Sequence, residues 1–165
     1  MQTTDTDLLR LCERLATELK ARRWMMSAAE SCTGGLIAAS CTGLSGSSDW
    51  FERGFVSYSN AAKTELLGVP AELIARHGAV SPEVARAMAQ GALAHSHAQV
   101  SVAVTGIAGP GGGSADKPVG LVWFGWAVGE RIWTECLCFD GDRDAVRTET
   151  VWHALAGLLR HWPTD

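Results

Sequence analysis

The 165-residue sequence predicts an α/β protein, a single-domain three-layer α/β/α sandwich over residues 1–165 with a mixed, mostly parallel sheet. Three observations predict it. Short apolar runs alternate with segments of helical periodicity through the first half, the pattern of strands joined by crossover helices. Two longer strand-like runs then meet at Gly129-Glu130, which reads as a late hairpin and makes the sheet mixed. A composition of 47% hydrophobic and 19% charged residues suffices for one core without disulfide or metal staples.

Taken in order, Leu8, Leu11, Leu15 and Leu19 recur at helical spacing and place an amphipathic helix over about Thr6–Arg22. Trp24–Ala29 is a short apolar run that reads as a buried strand. The small residues of Ala28-Ala29-Glu30-Ser31-Cys32-Thr33-Gly34-Gly35 turn the chain into a helix running to about Cys41. Thr42–Asp49 is a Gly/Ser loop. Phe51–Ser59 has strand character, with Phe55 on one face and Val56 and Tyr58 on the other. Asn60 is the expected N-cap of a short helix that carries Lys63 and ends at Gly68. Pro70–Arg76 is a further short helix, and Ser81-Pro82-Glu83 supplies cap, proline and acid for a helix to about His95. Val100–Thr105 is a buried strand that runs into the glycine-rich loop Gly106–Ser114. Gly120–Val128 and Arg131–Phe139 form the hairpin, Asp140-Gly141-Asp142 turns and caps, and a last helix runs to about Arg160.

Several classes drop out on bulk properties. The net charge is −4 with no basic run, so no nucleic-acid footprint is expected. No stretch is apolar enough to span a bilayer, and Met1–Arg10 lacks the pattern of a signal peptide. The five cysteines are odd in number and show no C-x-x-C spacing. They read as reduced thiols of a cytoplasmic protein without a zinc site, with Cys136 and Cys138 on one strand face suited to core packing.

Ser31 sits where a strand gives way to a helix, close to converging N–H groups, which is what a nucleophile with an oxyanion hole needs. The same serine or Thr33 also fits a plain helix cap. The five histidines (His77, His95, His97, His153, His161) read as solvated residues in or at the ends of surface helices, and no G-x-S-x-G elbow is present. Lysine is the alternative base. Lys63 lies five residues after Tyr58, the only tyrosine, and its neighbours Ala61 and Ala62 favour desolvation. Tyr58 is then a proton relay or a holder of the lysine. The Thr105–Ser114 loop can form a nest of N–H groups for a phosphate or carboxylate. Arg143 and Arg147, one helical turn apart, can clamp an anion or pair with Asp142, Asp144 or Glu149 on the surface. The seven tryptophans, with Trp123, Trp126, Trp133 and Trp152 in the second half, read as core or subunit contact.

Six blocks in order carry a resemblance. They are Ala29–Gly35, Tyr58-Ser59-Asn60 with Lys63, His77–Ser81, Gly106–Pro110 with Gly112-Gly113, Lys117–Gly120, and Gly141-Asp142-Arg143 with Val146-Arg147. Together they resemble the CinA C-terminal domain family of nicotinamide-nucleotide amidases, from about Leu8 to His153. The resemblance implies hydrolysis of the carboxamide of nicotinamide mononucleotide to nicotinate mononucleotide and ammonia, in pyridine-nucleotide salvage. It implies a serine–lysine mechanism with no metal and no cofactor, and a homodimer or higher homo-oligomer. Carried over by motif, Ser31 is the nucleophile, Lys63 the base and Tyr58 a supporting residue. Thr33 and Thr105 line the pocket and Arg143 holds the anionic end. With the glycines of the two loops, the expected substrate-binding set is Thr33, Gly34, Gly35, Thr105, Gly106, Gly109, Arg143 and Arg147. Two other classes remain as alternatives: a non-catalytic nucleotide-binding or regulatory module, and an interaction protein tied to DNA uptake or damage response.

Overall fold

The computed structural model describes residues 2–162, so the outermost residues of the expected 1–165 domain lie outside it. Six helices and five strands follow in the order α1 (Asp5–Arg22), β1 (Met26–Glu30), α2 (Leu36–Thr42), β2 (Phe51–Val56), α3 (Asn60–Leu67), α4 (Ala71–His77), α5 (Pro82–Ala94), β3 (Val100–Gly106), β4 (Leu121–Val128), β5 (Arg131–Cys138) and α6 (Arg143–Arg160). They build one sheet in the order β2-β1-β3-β4-β5. β1 pairs parallel with β2 and β3, whereas β3–β4 and β4–β5 are antiparallel. Four strands therefore share one direction and β4 alone runs against them, giving the mixed, mostly parallel sheet that alternation and hairpin predict.

The period-2 alternation of strands sorts the two cores. Met26 and Ala28 of β1, Val100, Val102 and Val104 of β3, and Val122, Phe124, Trp126 and Val128 of β4 join one core with residues of α1, α2 and α6. Ala29, Ala103 and Ala127 point the other way, against Leu67 of α3, Ile74 of α4 and Val84, Met88, Ala89 and Ala92 of α5. The second face is built from smaller residues, so α5 lies close to the sheet. There the hydroxyls of Ser27 and Ser101 donate to the carbonyls of Ala92 and Ala89.

Helix α2 leaves β1 toward one face and α3 leaves β2 toward the other. The carboxyl ends of these neighbouring strands thus border a crevice, the place where open α/β sheets bind ligands.

Three expectations are corrected. The hydroxyl of Ser59, not the side chain of Asn60, caps α3 by accepting from the Ala62 N–H at 3.0 Å, because the chain turns helical at Asn60 itself. Cys136 and Cys138 are exposed rather than in the core. They lie on edge strand β5, where Ile132 on the same face reaches the α5 side but the later residues pass beyond it. His153 and His161 are packed, not solvated. The His153 ring lies 4.6 Å from Phe124 with its Nε2 2.9 Å from Glu135 Oε1, and His161 stacks on Trp133 at 4.6 Å.

Candidate active site

Ser31 follows the last residue of β1 and is held there by its backbone N–H, which donates to the Val104 carbonyl of β3 at 3.1 Å. The chain then turns tightly: the Gly34 N–H closes on the Ser31 carbonyl and the Leu36 N–H on that of Thr33, both at 3.1 Å. Gly34 and Gly35 take φ of +57° and +108°, a left-handed path that any side chain would strain, and it brings α2 in directly behind the serine. Within this turn the N–H groups of Cys32, Thr33 and Gly35 meet no acceptor among the described residues.

Lys63 comes from α3, which the Ser59 cap starts just after β2. It is only 1% exposed, one of the largest fully buried side chains of the described residues. Its Nζ lies 3.0 Å from Ser31 Oγ, 3.1 Å from the Ser57 carbonyl and 3.2 Å from the Tyr58 carbonyl. Burial pushes its pKa below the ordinary lysine value. No carboxylate pairs with it among the described residues. The adjacent Cys32 thiol, pushed up to about 12 by burial, stays uncharged at neutral pH and offers no counter-ion. Nζ donates to the two carbonyls, and its third contact, Ser31 Oγ, can accept from the ammonium or, once the amine is neutral, donate to its lone pair.

A cleft of about 220 Å³ opens over this pair, lined among others by Ser31, Tyr58, Lys63, Thr105, Gly106 and Arg143. Tyr58 meets Lys63 through its carbonyl, while its ring is 61% exposed and its hydroxyl lies 3.4 Å from Arg143 Nη2. Arg143, first residue of α6, donates through Nη1 to the Gly109 carbonyl at 2.8 Å. Gly109 needs its φ of +82° for that approach, and a side chain there would collide with Val119. The hydroxyl of Thr105 donates to the Ala79 carbonyl at 2.9 Å, tying β3 to the segment before α5. In the glycine-rich loop, the Ile107 N–H bonds to Leu121 and the Ser114 N–H to Lys117, while those of Gly111, Gly112 and Gly113 meet no acceptor among the described residues.

Two expected pocket residues are turned elsewhere. Thr33 is fully buried and donates its hydroxyl to Glu30 Oε1 at 2.6 Å. Arg147 does not join Arg143 around a common anion. Its Nε and Nη2 donate to the carbonyls of Cys32 and Thr33, each at 3.2 Å, behind the serine turn. Glu30, the carbonyl groups of Ser57 and Tyr58, and Asn60 belong to the site without an assignment from sequence. An acid closing an otherwise apolar strand is a readable signal for Glu30, whereas main-chain carbonyls carry none.

None of the five histidines lines the cleft. A larger cavity of about 400 Å³ against α1 and α6, lined by Thr3, Arg10, Arg14, Glu149 and Trp152 among others, has no serine, cysteine, lysine or histidine in its lining, and its Thr3 hydroxyl donates to Glu149 at 3.0 Å. Among the described residues no group of three His, Cys, Asp or Glu side chains could hold a metal ion, and no helix is long and apolar enough to cross a membrane.

Comparison with known proteins agrees with this architecture. A nicotinamide-nucleotide amidohydrolase PncC of Escherichia coli K12 is 52% identical over 161 residues, covering 96% of this chain and 97% of that one. The protein of the same name from Pseudomonas putida is 54% identical over 150 residues, 91% and 94% of the two chains. The crystal structure of the competence/damage inducible protein CihA from Agrobacterium tumefaciens superposes with a TM-score of 0.91 at 44% identity and covers 97% of each chain. The CinA C-terminal domain matches residues 9–162, and the chain belongs to that family.

Proposed function

We propose that this chain is a nicotinamide-nucleotide amidase that converts nicotinamide mononucleotide and water to nicotinate mononucleotide and ammonia by a serine–lysine mechanism. One observation carries the mechanism: the buried Lys63 nitrogen, its other contacts taken by two carbonyls, lies 3.0 Å from Ser31 Oγ at the floor of an open cleft. The names of the relatives at 52–54% identity support the substrate.

In this reading neutral Lys63 takes the Ser31 proton as the oxygen attacks the carboxamide carbon. N–H groups of the Cys32–Gly35 turn receive the oxyanion. The lysine ammonium returns the proton to the leaving nitrogen, ammonia departs, and a water activated by Lys63 hydrolyses the ester on Ser31. Arg143 and the free N–H groups of the Gly109–Gly113 loop face the nucleotide phosphate, with Tyr58 across the mouth. Thr105 and Gly106 form the wall beside the pyridine ring. Metal and cofactor have no part in this scheme. The catalytic unit spans residues 1–165, works in the cytoplasm with its thiols reduced, and assembles as a homodimer or higher oligomer.

The test is ammonia release from nicotinamide mononucleotide by the wild type and by Ser31→Ala, with chelator present. Release that survives the chelator and disappears with Ser31→Ala supports the reading. A wild type that binds the nucleotide without releasing ammonia makes the chain a binding module and Ser31 a helix cap.

A further inference from the structure

The serine turn is gripped from two sides by charged residues that the cleft does not contain. On one side Glu30, 0% exposed, collects only donors: Oε1 accepts the Thr33 hydroxyl at 2.6 Å and the Ile37 N–H at 2.7 Å, and Oε2 accepts the Ala38 N–H at 3.1 Å. No cation pairs with this carboxylate among the described residues. An environment made of donors suits a group whose two oxygens both accept, since an amide in its place would set its own N–H against one of these donors. The Glu30 carbonyl in turn accepts the Ser57 N–H at 2.8 Å, so the same residue links the serine turn to the segment whose carbonyls hold Lys63.

On the other side Arg147 reaches from α6 and donates to two successive carbonyls, those of Cys32 and Thr33. A peptide unit is planar and trans, so its C=O and N–H point in opposite directions. Holding the Cys32 carbonyl on the guanidinium therefore turns the Thr33 N–H away from Arg147. The same rule applied to the Thr33 carbonyl fixes the Gly34 N–H, which closes on Ser31. Glu30 meanwhile fixes the Thr33 side chain and the start of α2, which bound the turn. Neither Glu30 nor Arg147 lines the cleft.

We propose that Glu30 and Arg147 are positioning residues that together aim the free backbone donors of the Ser31–Gly35 turn at the oxyanion of the reaction. The inference rests on Ser31 being the nucleophile of the proposed amidase. It goes beyond that reading in giving a buried carboxylate and a helix-borne arginine a role in rate without contact to substrate. Both act on the transition state and leave the bound nucleotide untouched, so their loss lowers kcat and spares KM.

The experiment uses the full chain as wild type, Glu30→Gln and Arg147→Lys, with three readouts: steady-state ammonia release, phosphonylation of Ser31 by a small aryl fluorophosphonate, and thermal melting. The fluorophosphonate needs the nucleophile and the oxyanion donors but no nucleotide site. Each variant is expected to lose about 10- to 100-fold in kcat, less than outright removal of an oxyanion donor, with KM within about two-fold. Phosphonylation should slow in parallel. The pH at which kcat/KM rises should not move, because the base is unchanged. Folded variants that keep kcat, or that lose rate through KM alone, overturn the positioning role. If Glu30→Gln does not fold, Arg147→Lys decides, since its guanidinium enters from the half-buried side of α6 and Lys keeps the charge while losing the fork. A wild type that neither releases ammonia nor reacts with the fluorophosphonate overturns the amidase reading itself. An active wild type with unimpaired variants overturns only this inference.

Discussion

Two clusters of this molecule hold a nitrogen base whose pKa burial pushes down, and they have opposite prospects. Lys63 is buried at the carboxyl end of the parallel strands, with a serine hydroxyl at 3.0 Å and a cleft above it. His153 is buried on the antiparallel side, where burial and the Arg160 charge lower its pKa against the pull of Glu135. Its ring is enclosed by Phe124, Trp126 and Phe139. By residue type the second cluster looks the more catalytic, a histidine 2.9 Å from a carboxylate. Among the described residues its ring nitrogen meets only Glu135 and Arg160, with no hydroxyl or thiol hydrogen-bonded to it, and the ring is mostly buried. A depressed pKa follows from desolvation alone, whereas chemistry also needs a partner atom and access.

The largest effects separate the clusters by rate. Ser31→Ala should lower kcat by about 10⁴-fold or more and Lys63→Ala by about 10³-fold or more, with nucleotide affinity by calorimetry nearly unchanged. Near-normal turnover in Lys63→Ala would return the proton transfer to another group and remove the contrast. Arg143→Ala comes next. Loss of a charged contact to the phosphate should raise KM about 10- to 100-fold while kcat holds, and an unchanged KM would mean that the phosphate lies elsewhere.

Much of this contrast was legible in the residues, and the remainder has identifiable causes. The small-residue octet around Ser31 announces a strand-to-helix turn because paired glycines are needed where φ is positive. Lys63 stands out because lysines are scarce and its neighbours are alanines. What escapes a reading of side chains is work done by the main chain: Tyr58 supports Lys63 through a carbonyl that any residue could supply. Arg143 and Arg147 share a helical face, but long side chains diverge, one to Gly109 and the other to Cys32 and Thr33. Periodicity also cannot tell how far a helix layer extends over a sheet. For that reason Cys136 and Cys138 are exposed at the edge while His153, on a helix with ordinary surface spacing, is packed among aromatic rings.

The aromatic cluster has its own signature. His153→Ala removes a mostly buried ring from between Phe124 and Phe139 and leaves Glu135 with only the Arg160 guanidinium at 3.6 Å. It should cost about 1–3 kcal/mol in denaturant unfolding and leave kcat within about two-fold. A large loss of kcat at unchanged stability would make this cluster part of the reaction.

The smallest effect is the most specific, because the two bases bear on stability in different pH windows. Each has a folded-state pKa below its unfolded one, 10.5 for Lys63 and 6.5 for His153. Between the two values of each pair the unfolded chain binds a proton that the folded chain refuses, so stability falls as pH drops through that interval. For Lys63 the decline begins near pH 10.5 and is complete below its folded pKa; for His153 it begins near 6.5 and extends to more acid pH. Lys63→Met should therefore flatten the alkaline arm of a stability–pH curve and leave the acid arm in place. His153→Phe should blunt the acid arm, of which His161, also pushed down by burial, retains a share. The rate profile should follow only one of these groups. In the wild type kcat/KM should rise with pH as Lys63 loses its proton, and the same rise should persist in His153→Phe. If the rise instead vanished with His153, the base would lie in the aromatic cluster despite its distance from Ser31.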